Sequence, residues 1–198
     1  MYSSPLVLAS NSPRRRELLL SLGVVFQICP QDIDESVLNV EKPYDYVQRV
    51  ALEKALSALA TNPGALVLAA DTSVIVDDQI LGKPQDIGDA LSMLSLLSNR
   101  EHSVLTAVTL ANSEKQRSTV VRTTVNFRSI SAAEAQRYWA TGEPIGKAGG
   151  YAIQGFGAAF VESIEGSFSN VVGLPLFETA QYLQAFGVAI WQQEVVDS

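Results

Sequence analysis

The sequence predicts an α/β domain built on a mixed sheet, and three observations carry that reading. Short apolar runs alternate with helical stretches along the chain. Two strand-like runs, about 103–111 and 119–127, flank the polar turn 112–117 and read as an antiparallel hairpin. No repeat, linker or low-complexity stretch interrupts the 198 residues, a length that suits one domain or two small lobes around a cleft.

Residues 5–9 predict a buried strand, and Ser12-Pro13 open a helix with serine at the N-cap and proline at the first helical position. Arg14, Arg15 and Arg16 sit in its first turn. Free backbone N–H groups and the helix dipole make that end electropositive, and guanidinium forks match phosphate oxygens. The segment therefore reads either as a polyphosphate cradle or as an ordinary capped helix with a solvated basic face. Gly23 predicts a C-cap, 24–29 a second strand, and 30–42 an acidic loop with Asp32, Asp34 and Glu35. Pro43 opens a helix to about Ala60 whose buried stripe is Val47, Val50, Ala51, Ala55 and Ala58. Lys54, seven positions after Val47, lies about 20° from it on the same side. Either it snorkels outward or its ammonium enters an internal cleft.

Residues 65–70 read as an apolar strand ending at Asp71-Thr72, extended through Val76, with a turn at Asp77-Asp78 and a return over 79–81. Asp86 caps a helix that turns Leu91, Leu94 and Leu97 inward. Ser131 and Glu134 form a capping box before the helix carrying Tyr138 and Trp139. Residues 142–173 are glycine-dense around an expected strand at 158–161, and such glycines permit close backbone approach to a ligand. Pro175 starts a last helix to about Phe186, and the hydrophilic tail from Gln192 reads as frayed.

A net charge of −7 repels a nucleic-acid backbone but leaves room for a small phosphorylated ligand in a local basic pocket. No apolar run approaches the roughly 20 residues of a membrane-spanning helix, and the N-terminus lacks a signal-peptide layout. Cys29, the single cysteine, allows no intrachain disulfide, reads as a small buried hydrophobe, and fits a reducing compartment such as the cytoplasm. His102 has no partner at metal spacing and reads as structural, and the G-x-x-x-x-G-K-[ST] loop is absent.

Asp71, at the expected end of a buried strand, could accept a proton from water or hold a divalent cation; the plainer reading is a turn or cap aspartate. Lys83, in the Gly82-Lys83-Pro84 corner, is positioned by the hairpin return to approach it. With Arg14, Arg15, Lys54 and Lys147, these cations could neutralise a triphosphate. Glu35 and Asp71 could hold the Mg²⁺ or Mn²⁺ that nucleotides carry, although no dense metal-ligand motif is present.

Ser-x-Ser-Pro-Arg-Arg, Glu53-Lys54-Ala55, Ala70-Asp71-Thr72, Gly82-Lys83-Pro84, the run Gly146–Gly155 with Tyr151-Ala152-Ile153-Gln154, and Gly166-Ser-x-Ser-Asn170 through Pro175 occur in order. Over nearly the whole chain, this series of blocks resembles the Maf-type nucleotide pyrophosphatases. The resemblance implies a single domain over 1–198, elongated and two-lobed around a deep central cleft, of the inosine triphosphate pyrophosphatase type. It implies metal-dependent cleavage of a nucleoside triphosphate to the monophosphate and pyrophosphate. Asp71 matches the family's proton acceptor. Ser12, Arg14, Arg15, Lys54 and Lys83 match its phosphate site, and Glu35 the acidic residue beside it. Arg14, Thr72 and Gln154 match the positions tied to base choice, and their identities resemble the dTTP/UTP branch. The Gln154 amide, with one donor and one acceptor edge, can pair with N3–H and a carbonyl of uracil or thymine. Homodimers are common in the family, and an exposed aromatic such as Trp191 could contribute to one. The alternative the resemblance leaves open is a nucleotide-binding regulator of septum formation without catalysis.

Overall fold

The computed structural model describes residues 4–191, so the tail from Gln192 lies outside the described residues. Among the described residues, seven strands form one mixed sheet: β1 (Leu6–Leu8), β2 (Gln27–Ile28), β3 (Leu66–Val76), β4 (Gln79–Leu81), β5 (Glu101–Ala111), β6 (Gln116–Phe127) and β7 (Val161–Glu165). Their order is β2-β1-β3-β5-β6-β7, with β4 paired to β3. The β1–β2 and β1–β3 pairs are parallel, and the others antiparallel. The expected hairpin is the β5–β6 pair, in register from Glu101↔Asn126 to Ala111↔Gln116.

Helices cover both faces, as an alternating strand requires when neither face is to meet water. Six are present among the described residues: α1 (Pro13–Leu20), α2 (Pro43–Thr61), α3 (Ile87–Leu97), α4 (Ala132–Ala140), α5 (Phe168–Val172) and α6 (Leu176–Ala185). Odd residues of β3, from Val67 to Ile75, face α2, whose Val47, Val50, Ala51, Ala55 and Ala58 are fully buried as their spacing predicts. Even residues face the other layer. Leu66, Leu68 and Ala70 pack with Leu19 of α1 and Leu183 of α6, while Val74 and Val76 pack with Leu94 of α3 and Tyr138 of α4. No helix of the described residues is long and apolar enough to cross a membrane.

Several elements differ from expectation. Asp71 does not end a strand. The apolar run stops at Ala70, but the ladder to β5 continues from Val67↔Ala111 to Ile75↔Ser103 and keeps the backbone extended through polar residues. What ends near Asp71 is the parallel pairing, because β1 reaches only Leu68. On that same edge β4 begins its pairing at Val74, so residues 69–73 face a gap between two strands. Asp71 points to one side of the sheet in this gap and Thr72 to the other.

The expected strand 24–29 shrinks to Gln27–Ile28, and residues 156–160 form a 3-10 turn rather than part of a strand, with β7 following it. Helix α1 ends at Leu20 with Ser21 as cap, and Gly23 follows two residues later at φ 66°. The turn at Asp77-Asp78 has both residues at positive φ (49° and 60°), the two-residue hairpin loop whose twist matches its strands. His102 is buried, its Nε2 is 2.8 Å from the Tyr151 hydroxyl, and its ring stacks edge-on to Phe127. Burial, with help from the Arg100 charge, pulls its pKa down to about 4, so the imidazole is neutral at pH 7. Cys29 is partly buried against the α2-side core and unpaired.

Candidate active site

The gap in the β3 edge opens into a hollow of about 550 Å³, within the size range of small-ligand sites. The candidate catalytic, phosphate, metal and base-choice residues of the sequence all line it, with Lys147: Ser12, Arg14 and Arg15 from α1 and its cap, Glu35 from the acidic loop, Lys54 from α2, Asp71 and Thr72 from β3, Lys83 after β4, and Lys147 and Gln154 from the glycine-rich segment. Arg16, the third arginine of that turn, is exposed and is not among the lining residues, nor are Asp32 and Asp34. Five cations and two carboxylates thus share one cavity of a chain whose net charge is −7. Such a local field draws in an anion that the rest of the surface repels.

Lys54 resolves in favour of the internal cleft. Its ammonium lies 2.8 Å from Asp71 Oδ1 and 2.7 Å from Glu35 Oε1, and both Lys54 and Asp71 are under 10 % exposed. Lys83 is more solvated and stands 3.7 Å from Glu35 Oε2. Burial pushes the Glu35 carboxyl up, but the hydrogen bond and charge of Lys54, with the charges of Lys83 and Arg15, bring it below its ordinary value. The loop carrying Glu35 is tied to α2. The Tyr46 hydroxyl donates to the Glu35 carbonyl (3.0 Å), and Arg49 donates to the Ser36 carbonyl (2.9 Å) and binds Glu41 (2.6 Å). None of these three ties had a local sequence signal.

The two arginines differ. Arg15 turns inward: Nε donates to the Gly173 carbonyl (2.8 Å), Nη2 to Thr72 Oγ1 (3.0 Å) and Nη1 to Ser10 Oγ (3.4 Å). Thr72 Oγ1 lies 2.9 Å from Thr106 Oγ1, and Thr106 Oγ1 donates to the Asn170 carbonyl (2.9 Å). A hydroxyl has one proton, so the Thr106 proton is committed to Asn170 and the Thr72 proton to Thr106. Thr72 is left to accept from Arg15. The fully buried Asn170 donates to the Val104 carbonyl and Thr123 Oγ1, which fixes the end of this chain. Arg14 and Lys147 face the cavity, and burial lowers the pKa of both below its usual value. Ser12 Oγ accepts from the Arg15 backbone N–H at 3.4 Å, so it is the helix cap as well as a lining residue. Thr106, Tyr46 and Arg49 are supports of the site that sequence reasoning did not find, and Asn170, noted there only within a motif, is a fourth.

Residues 5–186 match the profile of the family described as Maf-like protein. A protein of Vibrio parahaemolyticus named dTTP/UTP pyrophosphatase is 51 % identical over 185 residues, covering 93 % of this chain and 98 % of its own. Proteins of the same name from Hahella chejuensis and Anaeromyxobacter dehalogenans are 50 % and 52 % identical, over 94 % and 95 % of this chain and 94 % and 97 % of their own. Among solved structures, the Ham1 protein of Staphylococcus aureus gives a TM-score of 0.48 at 17 % identity, covering 80 % of both chains.

Proposed function

The chain belongs to the Maf-like family, and from that premise we propose that it hydrolyses dTTP and UTP to the nucleoside monophosphate and pyrophosphate. The observation that carries this reading is a buried carboxylate, Asp71, set among five cations in a nucleotide-sized hollow. Residues 1–198 act as one catalytic domain, and the hollow is the core of the two-lobed cleft that the family resemblance implies.

The family resemblance also implies a divalent cation. Among the described residues no group of three or more His, Cys, Asp and Glu side chains stands together, and the Lys54 ammonium already lies between Asp71 and Glu35. This donor set fits a Mg²⁺ or Mn²⁺ that arrives with the nucleotide and keeps phosphate oxygens and water as most of its ligands. Asp71 and Glu35 are the residues that would hold it, and when bound it neutralises phosphate charge and polarises phosphoryl oxygens.

The remaining roles belong to the chain itself. Arg14, Lys83 and Lys147, with Ser12 and the α1 N-terminus, bind the triphosphate. Arg15, held by Thr72, Ser10 and Gly173, adds a fixed positive charge to the floor of the site. Asp71 takes a proton from the water that attacks the α-phosphorus. The bond from that phosphorus to the α–β bridging oxygen breaks, and pyrophosphate leaves with the electron pair, stabilised by the cations. Lys54 holds Asp71 and Glu35 in place, and its charge helps keep the Glu35 carboxyl ionised. Gln154 reads the pyrimidine edge. Homodimer formation and a cytoplasmic location complete the reading; Trp191, 69 % exposed, is available for the first.

A panel of nucleoside triphosphates scored for pyrophosphate tests it. dTTP and UTP are expected to turn over at least about tenfold faster than purine nucleotides, the worth of one hydrogen-bonded recognition contact. Orthophosphate as the product would contradict the bond assignment. Saturable nucleotide binding without product would favour the regulator.

A further inference from the structure

Gln154 lies on an exposed loop, and a loop amide can discriminate bases only if its backbone is held. The structure holds it from behind. The Glu143 carboxylate accepts from the Phe156 N–H (2.8 Å, Oε2), from the Gly157 N–H (2.9 Å, Oε1) and from the Tyr138 hydroxyl (2.7 Å, Oε1). Tyr138, 4 % exposed, in turn accepts from the Ala152 N–H at 3.2 Å. One carboxylate and one phenol therefore fasten backbone N–H groups on both sides of Gln154.

The glycines of this loop make sense against the same clamp. A Cβ on Gly155 would lie 1.9 Å from Glu143 Oε2, and one on Gly157 would lie 2.6 Å from the Tyr138 hydroxyl. Both positions are glycine because the clamp leaves no room for a side chain. Glu143 does not line the hollow, so it touches no substrate; its charge is felt by Arg14 and Lys147, which do line it. Its carboxyl is pushed up by burial, yet the N–H groups, the phenol and the Lys147 charge bring it below its ordinary value, which keeps it an acceptor at neutral pH.

We infer that Glu143, with Tyr138, is a positioning residue for base selection: it sets the Gln154 edge against the pyrimidine without touching the phosphates. The inference rests on the dTTP/UTP reading above. Replacing Glu143 by glutamine preserves its size but turns an N–H₂ group toward backbone donors, so at least one anchor is lost. Tyr138→Phe removes the other half of the clamp and serves where Glu143→Gln does not fold.

The test uses the intact protein and three probes: α,β-methylene-UTP, α,β-methylene-ATP and inorganic tripolyphosphate. In Glu143→Gln, affinity for the uridine analogue relative to the adenosine analogue is expected to fall about tenfold, while tripolyphosphate affinity does not weaken, because an acidic charge near Arg14 and Lys147 is removed. Amide hydrogen exchange at Phe156 and Gly157 should accelerate in the unliganded variant. In a Gln154→Ala background the same substitution should cost no further uridine affinity, because its route of action is gone. Equal weakening of tripolyphosphate, unchanged exchange, or a full penalty persisting in Gln154→Ala would overturn the inference. A wild-type protein indifferent to uracil and adenine would overturn the pyrimidine reading and this inference together. A wild-type preference that survives Glu143→Gln would overturn this inference alone.

Discussion

Asp71→Asn is expected to lower turnover of dTTP by about 10²–10⁴-fold, the range seen when a general base is lost. The amide has the size of the carboxylate, and its oxygen can still accept from Lys54 at the position of Oδ1, 2.8 Å away. Fold and nucleotide affinity should therefore survive while proton acceptance does not. The measurement is steady-state pyrophosphate release beside nucleotide binding by calorimetry. Near-wild-type turnover would remove Asp71 from the mechanism. A parallel loss of binding and turnover would make it a binding residue.

Lys54→Gln should have the second largest effect, and on two observables. Its ammonium neutralises two carboxylates within 2.8 Å, in a place where 90 % of its side chain is shielded from water. Removing one partner of a buried ion pair leaves an uncompensated charge, at a typical cost of about 3–5 kcal/mol in folding stability. The Asp71 contact carries most of this, because the Glu35 side chain is 36 % exposed and better screened. The pH dependence has a definite sign. Lys54 helps hold the Glu35 carboxyl below its ordinary value, so its loss raises that pKa. The charged form is then lost sooner as pH falls. The acid limb of kcat/KM against pH should move to higher pH, and turnover at neutral pH should fall about 10²-fold or more. An unmoved acid limb would show that the Glu35 carboxylate is not held by this lysine.

The parts of the molecule legible in the sequence are those whose signal is local. The α2 stripe follows from helical spacing, the Asp77-Asp78 turn from two residues that tolerate positive φ, and the α4 start from its Ser131–Glu134 capping box, present with both hydrogen bonds. The length of β3 was not legible. Its polar stretch Asp71–Ser73 is kept extended by β5, a strand some 35 residues away in sequence, rather than by its own composition. The site shows the same division. Lys54 on the buried stripe drew attention, but whether it snorkelled or turned inward depended on Glu35 and Asp71, which come from other elements.

Arg14 and Arg15 look equivalent in sequence, yet neighbours on a helix point about 100° apart. Only Arg15 meets Gly173 and Thr72. In the sequence, the glycine-dense run at 142–173 reads as room for a ligand. At Gly155 and Gly157 the close neighbours are instead Glu143 and Tyr138, side chains from the protein's own scaffold.

Hydrolysis of dTTP in ¹⁸O-enriched water, with products resolved by mass, tests the central claim most directly. Attack at the α-phosphorus by a water that Asp71 deprotonates puts one heavy oxygen into the thymidine monophosphate and none into pyrophosphate. Label in pyrophosphate would place the attack at the β-phosphorus, and the arrangement of Asp71 among the cations would need a different chemistry.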